Sequence, residues 1–263
     1  MSRKKAPRNP EPPRSSPSCD VSAIRTRANR VISLLKPLYP RAQCALTHES
    51  PLQLLIATIL SAQCTDDRVN KVTPSLFARY RTAEQFAAAD TSELESLIQS
   101  TGFFRNKARN IIGAARVICE QFGGHVPDTM DALLRLPGVA RKTANVVLGS
   151  AFGKNDGVVV DTHIGRLSHR LGLTWRSRDS KDAVRIERDL MEVVPQAEWT
   201  YFGHAMILHG RRVCRARKPA CADCVLKDIC PSADLGESKL SAAANRRRAK
   251  IASKAGLSSG RRA

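Results

Sequence analysis

Apolar side chains recur at three- and four-residue spacing along most of this 263-residue chain, the interval that gathers them on one face of an α-helix. From Asp20 to about Leu38 the stripe is Ile24, Ala28, Val31, Ile32, Leu35 and Leu38, with Asp20 placed to cap the first turn and Pro37 and Pro40 to end the helix. Ser50-Pro51 supplies an N-cap and a first-turn proline for an apolar helix over 52–62. Further helices are predicted over 66–80, from an Asp90-Thr91-Ser92-Glu93 capping box to Gly102, and over 105–122, closed by Gly123-Gly124. The same pattern continues over 128–135 and 141–152, then near 164–171, 180–194 and 198–211. Period-two alternation is nearly absent, Val158-Val159-Val160 is at most a short extended link, and no fixed repeat occurs. The fold class predicted is all-α, with chain enough for one large domain or two small ones.

The most informative stretch lies between 136 and 161. Pro137-Gly138 stops one helix and supplies a residue free to take positive φ. The next helix has Met130, Leu133 and Leu134 before it, and itself carries Ala144, Val147, Leu148 and Ala151 on one face. Its first turn presents unpaired N–H groups and a partial positive charge beside the hairpin, which suits a DNA phosphate; an ordinary αα-hairpin would show the same local pattern. Lys142 sits in that first turn next to Arg141, where a cation opposes the helix dipole. That field, the neighbouring cation and burial together favour a neutral amine able to act as a nucleophile; phosphate binding is the plainer use of such a lysine. Asp161 is placed to cap the following helix, and the same carboxylate near Lys142 could stabilise positive charge on a sugar or steer a proton. His163 reads as structural.

Two turns and one cysteine cluster complete the candidate chemistry. Gln63 stands at the apex of Ser61-Ala62-Gln63-Cys64-Thr65-Asp66 with two donors and an acceptor on a short arm. Gly102-Phe103-Phe104-Arg105-Asn106-Lys107 sets two aromatics before basic residues; one belongs in the core and the other could wedge between base steps. Cys19, Cys44, Cys64 and Cys119 are scattered and expected as buried thiols. Cys214-x6-Cys221-x2-Cys224-x5-Cys230 places four thiols where they can close on one centre. Structural zinc usually shows two C-x2-C knuckles and only one is present, so spacing leaves zinc and iron–sulfur both open. Arg215, Arg217 and Lys218, between the first two ligands, would offset an anionic centre and reach for phosphate.

Net charge is +19 and the isoelectric point about 10.2, which point to a polyanionic partner. Residues 1–20 hold +3 of that charge and 232–263 hold +6, so +10 belongs to the folded part and nucleic-acid binding is a property of the domain. Residues 1–19, rich in proline, and 232–263 are expected to be disordered basic ends. The longest apolar run, 52–60, is interrupted by Gln53 and Thr58 and is too short for a membrane span. The N-terminal residues carry no secretory signal, which predicts a cytoplasmic protein with no membrane partner.

The 136–145 hairpin, Val160-Asp161-Thr162-His163 and the 6-2-5 cysteine spacing, in this order, resemble the endonuclease III family of helix-hairpin-helix DNA glycosylases over roughly residues 20–231. The resemblance implies two helical domains with DNA in the groove between them: a six-helix barrel over 44–155 carrying the hairpin, and a domain of 20–43 with 156–231 carrying a [4Fe-4S] cluster on Cys214, Cys221, Cys224 and Cys230. It implies an N-glycosylase with abasic-site lyase activity, working as a monomer on double-stranded DNA with damaged bases or abasic sites, in a bacterial-type nucleoid. Lys142 would be the nucleophile and Asp161 the catalytic carboxylate. Gln63 would fill the gap left by the flipped base and Phe103 would be the apolar wedge. Gly138, Val139, Ala140, Arg141, Arg215, Arg217 and Lys218 would contact DNA, and the cluster would be structural. One departure is Ala140, where the family hairpin usually has a second glycine, so that a methyl group meets the approaching phosphate. Two other readings stay open at this point. One is an adenine glycosylase relative, against which Lys142 and the short tail count; the other is a non-catalytic, zinc-stabilised DNA-binding module.

Overall fold

The computed structural model describes residues 20–233, and within them eleven α-helices and no strand. These are α1 (Val21–Leu35), α2 (Pro51–Leu60), α3 (Asp66–Arg79), α4 (Ala83–Ala87), α5 (Thr91–Ile98), α6 (Phe104–Phe122), α7 (Met130–Leu133), α8 (Arg141–Ala151), α9 (Thr162–Arg170), α10 (Ala183–Val193) and α11 (Trp199–Arg212). The caps read from sequence form: Asp20, Ser50, Asp90 and Asp161 each accept from a backbone N–H of the helix they open. No helix among the described residues is long and apolar enough to cross a membrane. Of the basic ends expected at 1–19 and 232–263, only Ser232, whose Oγ donates to Arg170 O, and Ala233 are among the described residues.

Four local features differ from the reading of the sequence. Helix α1 stops at Leu35, because Pro37 has no N–H to continue the ladder; Leu38 is left 46% exposed and Tyr39 is buried in its place. The helix expected over 128–135 does not begin at Asp128. The Asp128 carboxylate takes Lys154 Nζ at 2.6 Å instead, α7 is a single turn, and Leu134 points outward. Helix α4, missed in the sequence, is only five residues long; Thr82 caps it, and Ala83 and Phe86 enter the core. Cys44, Cys64 and Cys119 are half-buried rather than buried, and Cys19 lies outside the described residues.

Two hydrophobic cores hold the molecule. The first is filled from α2 to α8, by Leu54, Leu55, Leu76, Phe86, Ile111 and Val147 among others. The second joins α1 to α9, α10 and α11 through Val31, Leu35, Leu167, Ile186, Leu190 and Phe202. The chain therefore begins in one core, builds the other, and returns. It returns through Val158-Val159-Val160: Val159 packs into the first core, Val158 and Val160 into the second. Extended backbone turns successive side chains to opposite sides, so three valines stitch the two cores together and deliver Asp161 to the seam.

Candidate active-site cleft and cysteine pocket

The hairpin between α7 and α8 is shaped by Gly138. Its φ is +77°, and a Cβ there would lie 2.8 Å from Asn110 Cβ of α6, so both conformation and close packing demand glycine. Ala140 caps α8 in ordinary extended conformation (φ −92°, ψ 168°) and its exposed methyl group strains nothing in the backbone. An alanine cap offers no side-chain acceptor, and the first intrahelical bond of α8 runs from Ala144 N–H to Ala140 O, so the N–H groups of 141–143 face outward from the ladder. Val139 buries its side chain in the first core, and its N–H donates to Leu136 O. Arg141 Nε donates to Glu187 Oε2 of α10 at 2.8 Å, while Glu187 Oε1 accepts from Asn145 Nδ2 at 2.8 Å. The guanidinium thus ties the hairpin to the second core.

Lys142 and Asp161 line the same cavity, of about 100 Å³, together with Val159, His204, Leu208 and Arg211. Lys142 is exposed, against the burial expected for it. Asp161 caps α9 and lines the cavity with the same carboxylate. Oδ1 accepts from the N–H groups of His163 and Ile164, each at 2.8 Å, and Oδ2 lies 3.0 Å from His163 Nδ1. Capping fixes the carboxylate, and the imidazole fixes its rotation. Two features of the cavity were not legible in the sequence. Buried His204 has a pKa lowered by desolvation and sits 3.3 Å from Ser150 Oγ. Arg211 Nη2 meets Asp66 Oδ2 at 2.7 Å across the lip.

Gln63 and Phe103 lie on other turns, outside this cavity. Both are exposed and both have positive φ, +53° and +49°, while Phe104 packs against the first core. Arg215, Arg217 and Lys218 are exposed on the loop after α11.

Cys214, Cys221, Cys224 and Cys230 line one pocket, walled by Leu167, Leu171, Val213 and Leu226, and none of the four is in a disulfide. Burial raises the pKa of Cys224 and Cys230, and the neighbouring cysteines raise it further. The pocket supplies what thiolates there require: Arg170 Nη1 donates to Cys214 Sγ at 3.1 Å, and His209 Nε2 lies 3.3 Å from Cys224 Sγ with its Nδ1 held by Tyr39 Oη. Among the described residues no three His, Cys, Asp or Glu side chains converge closely enough for one metal ion. Four thiols lining one apolar pocket, with a cation beside them, are a donor set that fits an anionic iron–sulfur cluster.

A glycine-turned hairpin of two helices, a lysine and carboxylate in one cleft, and a four-cysteine pocket define a helix-hairpin-helix protein. Residues 56–196 match the HhH-GPD superfamily of base excision DNA repair proteins, and 214–230 match the iron-sulfur binding domain of endonuclease III. An endonuclease III from Synechocystis sp. is 59% identical over 81% of this chain and 95% of its own length. A trapped endonuclease III–DNA covalent intermediate superposes with a TM-score of 0.73 at 41% identity, covering 82% of this chain and 97% of that one. A non-covalent endonuclease III–DNA complex gives 0.74 at 42% identity, over 80% and 96%. The chain belongs to the endonuclease III family of base-excision-repair DNA glycosylases. Its cofactor is the [4Fe-4S] cluster of the matched iron-sulfur domain, and the zinc-stabilised, non-catalytic alternative falls.

Proposed function

We propose that the chain excises oxidised or ring-saturated pyrimidines from duplex DNA and cuts the strand 3′ to the abasic site, with Lys142 as nucleophile and Asp161 as its carboxylate partner. The observation that carries this assignment is their convergence: a lysine from α8 of the first core and an aspartate from the seam line one cavity. The extruded nucleotide enters that cavity, at an unstacking cost of roughly a few kcal/mol that damage lowers. DNA closing over the cleft excludes water from around Lys142 and the sugar it attacks. Nζ bonds to C1′ as the electron pair of the glycosidic bond leaves with the base, which takes up a proton. The sugar ring opens to an imine; loss of a C2′ proton expels the 3′ phosphate, and water then releases the amine. Asp161, locked by two N–H groups and an imidazole, holds negative charge beside the cationic intermediates.

DNA is held by backbone N–H groups around Gly138, Ala140 and Arg141, and by Arg215, Arg217 and Lys218. Gln63 and Phe103 enter the base stack. Cys214, Cys221, Cys224 and Cys230 hold the cluster, which supplies a rigid cross-link to the loop bearing those three cations. Both walls of the cleft come from one chain, in keeping with a monomer acting on the nucleoid in the cytoplasm. Borohydride reduction during turnover tests the assignment. A covalent protein–DNA adduct is expected with the native chain and none with Lys142→Ala; an adduct that persists without Lys142 assigns the chemistry elsewhere.

A further inference from the structure

Lys107 is a buried cation that the reaction above does not use. It lies in the first turn of α6, where the helix dipole disfavours a cation, and is only 4% exposed. Its Nζ donates to Leu60 O at 2.7 Å and to Thr101 O at 2.8 Å, and it lines no part of the Lys142–Asp161 cavity. Those two carbonyls end the segments that launch two turns: Leu60 closes α2 just before the turn bearing Gln63, and Thr101 closes the short 3-10 turn before Gly102-Phe103. Among the described residues, Gln63 and Phe103 are the only non-glycine residues with positive φ. Left-handed backbone at such residues persists where the surroundings over-determine it. One ammonium group grips the root of both strained turns, 47 residues apart from one of them in sequence. Burial lowers its pKa, with the nearby Cys64 acting in the opposite sense.

We propose that Lys107 is a positioning residue for strand invasion: through the carbonyls of Leu60 and Thr101 it fixes the spacing of the Gln63 and Phe103 turns, so that both side chains enter the duplex at one base step. This rests on the reading that those two side chains enter DNA. Two tips that must occupy one gap need a shared anchor, and a purely apolar residue at 107 would fill the space without joining the turns.

The test compares two substrates under single turnover, a duplex with one ring-saturated thymine and a single strand with an abasic site, which needs no wedge. Lys107→Met is expected to slow the duplex reaction by about ten- to a hundredfold and to leave the single-strand reaction within about twofold. Lys107→Arg, which keeps donors for both carbonyls, is expected to restore most of the duplex rate. Phe103→Ala is expected to cost much less in the Lys107→Met background than in the native chain. Equal loss on both substrates, no loss on either, or additive effects of the two substitutions overturn the proposal. Should Lys107→Met fail to fold, Lys107→Gln, too short to reach both carbonyls, is put to the same comparison with the same two outcomes. A native chain that forms no borohydride adduct would sink the parent assignment instead; an active native chain matched by its Lys107 variants sinks this proposal alone.

Discussion

The two cores are built in opposite ways. The first is made from consecutive helices, α2 to α8, whereas the second closes only when α1 meets α9, α10 and α11 from the far end of the chain. Within each core the contacts are apolar and non-directional, which fixes that the half folds but not its angle to its neighbour. Across the cleft the contacts are largely polar: Arg141 and Asn145 with Glu187, Asp66 with Arg211, Ser150 with His204, and Thr200 with Asn155. Hydrogen bonds and ion pairs demand particular distances, so these contacts set how the walls of the active site face each other. Stability resides in the cores; geometry resides in the seam.

The largest effects are expected from removing one chemical group from each wall. Lys142→Ala should reduce strand cleavage by about a thousandfold or more. Because the side chain is exposed, thermal stability should stay within about 0.5 kcal/mol of the native chain. Asp161 offers a sharper division. Asp161→Asn keeps an Oδ1 acceptor for His163 and Ile164, so it should fold as well as the native chain yet lose about 10²- to 10⁴-fold in rate. Asp161→Ala should lose the rate and, with the cap gone, about 0.5–2 kcal/mol of stability. An active Asp161→Asn enzyme would reduce the residue to a helix cap. Single-turnover kinetics beside urea unfolding separates these cases.

What the sequence revealed follows the same division. The hairpin was legible because its signals are local: Pro137-Gly138 ends one helix, an apolar stripe begins the next, and Val158-Val159-Val160 marks the extended return before a capping aspartate. The seam was not. That Arg141 pairs through Nε with Glu187, 46 residues away, had no signal in the sequence. Gly138 is legible as a turn, but that Asn110 crowds its Cβ requires α6 to be in place. Lys107 read as one more of the basic residues that follow the Phe103-Phe104 loop, although it shares the apolar stripe of Ile111, Ala114 and Ile118; periodicity held the clue and the charge masked it. Helix α4 was too short to show a period, leaving only the Thr82 cap as its mark.

A seam held by polar contacts should break at its most buried acid. Glu187 is buried and serves both Arg141 and Asn145, whose Oδ1 has no partner. Glu187→Ala strands the buried Asn145 amide and should cost about 1–3 kcal/mol. The half-exposed Arg141 recovers water and adds little. Glu187→Gln retains an acceptor for Asn145 and should cost less. Since the hairpin is anchored here, binding of duplex DNA should weaken in the Ala variant more than stability alone explains, as measured by titration well below the unfolding temperature. A variant that loses stability but binds normally would place hairpin geometry in the first core rather than in the seam.

The smallest expected effect concerns pH and the Ser150–His204 contact. Burial lowers the His204 pKa below the ordinary histidine value of 6.5. Above 6.5 the imidazole is neutral in both folded and unfolded chains and adds no pH dependence. As pH falls below 6.5 the unfolded chain takes up a proton that the folded chain resists, so the unfolded state gains and stability drops. One pH unit below that value the drop is at most about 1.4 kcal/mol for this residue. His204→Gln keeps a hydrogen-bonding partner for Ser150 Oγ and removes the titration. Its fall in stability between pH 7.5 and 5.5, read from thermal unfolding, should be smaller than that of the native chain by up to that amount. An unchanged fall would mean that the cleft admits the proton and that water reaches the seam at His204, which would make the polar wall of the cavity looser than its buried geometry implies.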